Sequence, residues 1–208
     1  MQRYSSKVFN NKTNLVTDHQ EQDGGSFSAA SLSMKAQKKI ASKLSTRKIT
    51  KLFLSDAVDR VFDTLYSALL THYSKKDAEK VVKNIIKLAV KLGLLARNDM
   101  LDKEDLRQLN DVQKQLHSLS LTIISFVQVK YSFERTHLIE LLKQLQHSLA
   151  PLVSLKLSDK STRRLEHVIV HLSSTDFLDG LFKVDGPHAG VLSQFVDSLE
   201  GLLDAEGL

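Results

Sequence analysis

Cysteine and tryptophan are absent from this chain of 208 residues, and prolines number two and glycines eight. Without cysteine there is no disulfide, no thiolate zinc site and no cysteine nucleophile, which fits a reducing compartment. So little Pro and Gly, beside abundant Leu, Lys, Gln, Asp and Glu, disfavours a sandwich of short strands and favours helices. No long hydrophobic run occurs. The longest charge-free stretch of the apolar part, Gln115 to Val129, is too short to span a bilayer and carries Ser, Thr, His and Gln. Met1 to Asn14 is polar and contains no apolar secretion signal; Gly does not follow Met1, and no thiol is available for lipidation. A soluble protein is expected.

Other absences narrow the chemistry. Gly24-Gly25 lies in a polar stretch with no strand before it, so a phosphate-cradling glycine loop is excluded. No Gly-x-Ser-x-Gly elbow occurs. Asp102, Glu104 and Asp105 read as cap and solubility residues rather than an acid/base pair. His167 and His171 stand four apart on one helix, a spacing that can share a metal. Val168 occupies the place where a zinc protease needs Glu, and no third ligand is evident. Packing or surface histidines are expected, and no cofactor. The chain is expected not to be an enzyme.

With 42% hydrophobic and 25% charged residues, the composition suits one domain with a sizeable core, plus a tail. Residues 1–29 lack periodicity and read as a disordered tail. Residues 1–54 carry ten Lys/Arg against three acids, whereas the remainder is slightly acidic. From Ser31 to Leu54 there are seven basic residues and no acid. That asymmetry points to an anionic partner.

Periodicity places helices over 31–44, from Asp56 behind a Ser55 cap, from a Ser74 cap to about Arg97, from an Asp102 cap to about Val129, from Phe133 to about Ala150 with Pro151 near its end or kinking it, and from Ser158 to Leu172. A short helical turn covers 175–182, Gly186-Pro187 breaks the chain, and a last helix covers 188–203. The expected fold is all-α: a bundle of six to seven antiparallel helices with short loops. Long helices about a common axis build either a solid core or one with a cavity.

In the first helix Leu32, Ala36, Ile40 and Leu44 share one side, while Lys35, Lys38, Lys39 and Lys43 occupy or border the next. This segment reads either as a solvated face or as an amphipathic helix drawn to anionic lipid. Each lysine near such a surface contributes about 1 kcal/mol, so four give about 4, enough for reversible attachment. Nucleic acid is not the expected partner, because no aromatics interleave with these lysines. A second stripe, Lys76, Lys80, Lys83, Lys87 and Lys91, reads chiefly as the wet side of a core helix.

The run Lys80-Val81-Val82-Lys83-Asn84-Ile85-Ile86-Lys87-Leu88-Ala89-Val90-Lys91, ending at Arg97-Asn98, resembles the most characteristic segment of the tumour necrosis factor alpha-induced protein 8-like (TIPE) family. Ala36-Gln37-Lys38-Lys39-Ile40 resembles that family's first helix. Ser125-Phe126, Val129, Tyr131 and Ser132-Phe133-Glu134 resemble its central junction. Arg164, His167-Val168 and His171 match a later helix, and Leu202-Leu203-Asp204 with Leu208 match its end. The resemblance covers about residues 30–208 and implies a barrel-like helical bundle with a large apolar cavity. It implies a cytoplasmic regulator of cell death, immunity and inflammation that binds and transfers phosphoinositides and associates reversibly with the inner face of membranes.

By the same resemblance, Lys38 and Lys39 match the lysines that engage membrane or headgroup, and Arg97 a basic residue at the cavity mouth. Another headgroup-associated basic position is Gln113 here, a departure from the family. Acyl chains would contact Ile86, Leu116, Leu119, Ile123, Phe126, Leu141 and Leu145, each of which also reads as ordinary core. The competing expectation is a protein-interaction adaptor without lipid cargo, binding signalling proteins such as small GTPases.

Overall fold

A computed structural model describes residues 27–41 and 56–206. Eight α-helices account for most of the described residues: α1 (Ala29–Ala41), α2 (Asp56–Leu70), α3 (Lys75–Arg97), α4 (Lys103–Gln128), α5 (Arg135–Lys156), α6 (Asp159–Leu172), α7 (Thr175–Leu181) and α8 (Ala189–Glu206). The fold is all-α, and no strand occurs among the described residues. No helix among them is long and apolar enough to cross a membrane.

Local chemistry starts the central helices where the sequence signals them. The Ser74 hydroxyl accepts the Asp77 amide and donates to the Asp77 carboxylate. Asp102 accepts the amides of Glu104 and Asp105, and the Asp105 carboxylate accepts the Asp102 amide, a reciprocal capping box. Lys156, at the end of α5, bonds the Asp105 carboxylate at 2.6 Å and so ties the end of α5 to the start of α4. The Asp102 carboxyl is held below its ordinary pKa, first by the Asp105 amide.

Three expectations are corrected. α5 does not stop at about Ala150 but runs on to Lys156, with Pro151 inside it near its end. Pro151 is exposed, so the carbonyl it leaves without a donor can face solvent, and the next two residues, Leu152 and Val153, are fully buried and anchor the helix beyond it. The tail boundary also shifts. Phe27 packs its ring edge-on to Tyr66 at 4.8 Å, and Ala29 is fully buried, so both belong to the folded part. The first helix accordingly begins at Ala29 rather than Ser31, while Leu44, Ser55 and residues 1–26 lie outside the described residues.

The long helices close on one another. In circular order α2, α3, α6, α5, α4 and α8 each pack against two neighbours, and α8 returns to α2. Among the described residues no two helices across the ring pack to a similar extent. α1 lies over the α2–α3 seam and α7 against α5 and α6. The main core joins Val81, Val82 and Ile86 of α3 to Leu138 of α5, Val168 of α6, Phe177 and Leu178 of α7, and Leu192 of α8. At the α4–α5 turn Phe133 stacks on Phe182 at 4.5 Å, with Phe126 edge-on to both.

α6 runs antiparallel along α3. The Tyr73 hydroxyl donates to the His171 carbonyl, Asn84 meets His167, and the Lys91 ammonium donates to the Ser161 hydroxyl. The His167 and His171 rings stack at 4.1 Å. Burial first, then the neighbouring His171 and Lys80, holds the His167 pKa below 6.5, with Asp77 opposing.

α1 is held by polar contacts as well as by Phe27. The Ala30 amide donates to the Asp63 carboxylate. Ser33 and Asp59 are both buried and hydrogen-bonded to each other. Burial pushes the Asp59 carboxyl up, the Ser33 hydroxyl lowers it, and Asp56 and Asp63 raise it.

Two outcomes follow from these packing arrangements. Ser33→Ala strips a buried carboxylate of its donor and should cost about 1–3 kcal/mol in urea unfolding, with faster amide exchange in α1. For His167, whose folded pKa is depressed, the unfolded chain binds the proton first. Its contribution to stability is therefore complete above pH 6.5 and is lost as pH falls through the lower folded value. His167→Gln should flatten that fall in melting temperature on the acid side of neutrality.

Candidate functional site

The closed ring has a geometric consequence. Packed helices sit about 8–10 Å apart, and six equal cylinders in a hexagonal ring leave a central space as wide as a seventh. Side chains on the inward faces must fill that space or leave part of it open.

α4 reports which. Successive residues turn by about 100° around a helix. One edge of α4 is marked by Gln115, whose amide donates to the Ser148 hydroxyl of α5 at 2.8 Å. The other is marked by Ile124, which packs with Phe195, Val196 and Leu199 of α8. Leu116 lies between these edges, on the side opposite Lys114, Ser118 and Leu121, so it points toward the axis. It is nevertheless 40% exposed. Leu119, Ile123 and Phe126 share this face and are only half-buried against the main core. An apolar face turned to the axis is thus incompletely covered. Of the other expected lining residues, Ile86 and Leu145 are buried and Leu141 is half-buried.

Further inward apolar side chains escape a reading of α4 alone. Leu65 of α2, Phe133 before α5, Ile139 of α5, Leu172 of α6 and Val191 of α8 are also half-buried against the main core. Their spacing marks them as apolar-face residues, but only the ring shows that they converge. Two polar atoms of α4, Gln115 Oε1 and His117 Nδ1, are buried without a hydrogen-bond partner. A cavity of about 140 Å³ lies between α2 and α8, lined by Ala57, Arg60, Asp197, Ser198 and Gly201.

The backbone of α1 carries Lys38 and Lys39 toward one end of the ring. α1 runs antiparallel to α2, since Phe27 meets Tyr66 and Ala30 meets Asp63, whereas Ser33 meets the earlier Asp59. α2 in turn leads into the antiparallel α3. α1 and α3 therefore point the same way, and Lys38 and Lys39 travel toward the end at which α3 finishes with Arg97. Phe27 also lies under the Lys83 ammonium, 4.9 Å from its ring centre. Eleven residues on from Phe27, about 16 Å along the helix, Lys38 stands within a few turns of the level of Arg97. Lys35 is exposed. The side chains of Lys38, Lys39 and Arg97, and the whole of Lys43, lie outside the described residues. Gln113 is half-buried on α4. No cluster of three metal-ligating side chains occurs among the described residues, so the His167–His171 pair gains no third ligand there.

Comparison with known proteins agrees with this architecture's sequence pattern. Residues 27–206 match the family described as tumor necrosis factor alpha-induced protein 8-like. A Danio rerio protein named tumor necrosis factor alpha-induced protein 8-like protein 1 is 34% identical over 184 residues, covering 88% of this chain and 99% of the relative. Its Bos taurus namesake is 36% identical, covering 88% of this chain and 98% of its own. The Homo sapiens protein named tumor necrosis factor alpha-induced protein 8 is 33% identical, with coverage of 88% and 92%. A match that runs from Phe27, where the described fold begins, to Glu206, where α8 ends, establishes that this chain belongs to the tumor necrosis factor alpha-induced protein 8-like family.

Proposed function

We propose that this protein is a regulator of cell death and of immune and inflammatory signalling that works by carrying phosphoinositide lipids, without catalysing a reaction. The observation that carries the reading is the part-covered inward face of α4, where Leu116 points to the axis yet remains 40% exposed. An apolar surface left open inside a ring of helices favours an apolar guest. Each acyl CH₂ taken from water into such a space contributes about 0.8 kcal/mol. In this reading the chains lie against Leu116, Leu119, Ile123 and Phe126, with Ile86, Leu141 and Leu145 behind them.

The headgroup then sits at the end toward which Lys38, Lys39 and Arg97 are carried. Charge-assisted bonds from these groups hold its phosphates. The exposed Lys35, with Lys43, adds attraction to an anionic membrane surface, so that exchange with the inner face of a membrane is reversible. Gln113 replaces one headgroup-associated basic position of the resemblance, which favours a headgroup that needs fewer cationic contacts.

Lipids extracted from the purified full chain should include phosphoinositides when examined by mass spectrometry. Leu119→Trp should block uptake of a fluorescent phosphoinositide while changing unfolding free energy by less than about 1 kcal/mol, because open space accepts the ring. A solid interior would instead be overpacked at a cost of about 1–3 kcal/mol, with no uptake to lose, and Leu116→Trp should separate the two outcomes again. Replacing Lys38 and Lys39 together by Gln should weaken binding to phosphoinositide vesicles about thirtyfold, from about 1 kcal/mol per lysine, and raised salt should mimic the change. Binding indifferent to both would remove α1 from the mechanism.

A further inference from the structure

Eight histidines occur in the chain, and only His167 and His171 stand four residues apart. Lipid carriage uses neither. On α6 that spacing puts both rings on one side of the helix, a turn apart. The rings stack with centres 4.1 Å apart and planes 22° from parallel. α6 meets the core through the buried Leu165, Val168 and Ile169, whereas His167 and His171 are half-buried.

The hydrogen bonds of the pair decide which ring nitrogens remain. His171 Nδ1 lies 2.8 Å from the His167 carbonyl. A carbonyl only accepts, so His171 Nδ1 carries the hydrogen and donates it. The Nε2 of the neutral ring then keeps its lone pair. His167 Nδ1 faces the side-chain amide of Asn84 on α3 at 3.4 Å. An amide can turn either its oxygen or its nitrogen to a ring. With the oxygen turned in, His167 Nδ1 donates to it and the second Nε2 is also left with a lone pair. Among the described residues neither Nε2 makes a hydrogen bond. Neither is among the buried polar atoms without a partner, which are Gln115 Oε1 and His117 Nδ1, so both Nε2 atoms open to solvent.

We propose that His167 and His171 are the two protein ligands of a site for a borderline divalent cation such as zinc, with water completing its shell. Imidazole nitrogens, with no oxygen among the protein ligands, select zinc or copper over magnesium or calcium. Two histidines four apart on a helix have the spacing at which helical zinc sites hold their ion. Bonds of about 2.0–2.1 Å set the two nitrogens of a tetrahedral ion about 3.3 Å apart. Rings spaced 4.1 Å at their centres reach that by leaning tip to tip. The Nδ1 contacts with a backbone carbonyl and with Asn84 are the outer contacts that orient ligating histidines and keep Nε2 free. Of the charged side chains acting on His167, Asp77 favours a cation there and the exposed Lys80 opposes it. A bound ion clips one turn of α6 and, through Asn84, holds it to α3.

The test titrates zinc chloride into the full, metal-free chain at neutral pH in an isothermal calorimeter. One ion per chain should bind in the micromolar range and raise the melting temperature. Magnesium chloride should do neither. In the wild-type chain the imidazole proton signals of His167 and His171 should shift together as zinc is added, a readout that needs no variant. His167→Gln and His171→Gln should each weaken zinc binding at least about tenfold, and Asn84→Ala, which removes only an outer contact, about tenfold. His147→Gln, at an exposed histidine elsewhere, should leave it unchanged. Zinc binding retained in full by the His167→Gln, His171→Gln double variant would overturn the proposal. So would wild-type binding no tighter than millimolar, or imidazole signals of the pair that ignore zinc.

Discussion

Every feature of this fold depends on the closure of six helices into a ring, with α8 returning to α2. A layered bundle packs each helix against neighbours on several sides and fills its centre by construction. A ring gives each helix two neighbours and leaves the inward faces to meet at a common axis. Side-chain volume then decides whether the centre is solid. Along α4 the inward Leu116, Leu119, Ile123 and Phe126 remain part-covered. Elsewhere residues such as Val81, Val82 and Leu138 are buried almost completely. The inward faces are therefore unevenly covered, more completely at Val81, Val82 and Leu138 than along the middle of α4.

Charge is distributed with the same economy. The acids Asp102 and Asp105 both cap α4 and hold Lys156, so one cluster starts a helix and ties down the end of another. Asp59 and Asp63 receive α1 through Ser33 and the Ala30 amide. Basic residues of α3 also serve the packing: Lys91 donates to Ser161 of α6, and Lys83 lies over Phe27.

Much of the local structure was legible in the residues. Ser74 and Asp102 announced their helices because a cap is a short-range hydrogen bond that sequence alone specifies. The apolar spacing of α4 was equally plain. The end of α5 was less legible, because a proline's effect depends on tertiary context: an exposed proline ahead of two fully buried residues is carried within the helix. Phe27 looked like part of a polar tail because its partner, Tyr66, lies 39 residues away. Lys83 and Lys91, on the stripe read as the wet side of α3, turn out half-buried, one over Phe27 and one against Ser161. The candidate site was readable as a set of apolar positions but not as a lining, since convergence on an axis is a property of helix order around the ring and leaves no mark in any single helix.

The α2–α8 seam brings Ala57 beside Gly201 and so joins the first helix of the ring to its last. Hairpins such as α4–α5 and α5–α6 form from neighbours in sequence and can assemble early. The last seam must wait for nearly the whole chain, with the entropy of the longest loop in the fold set against it. Until that late step, the axial faces of α2 and α4 stand open to one side. A nascent chain therefore passes through a state in which the ring is open along this one seam, and its inward faces are the last apolar surface to be covered.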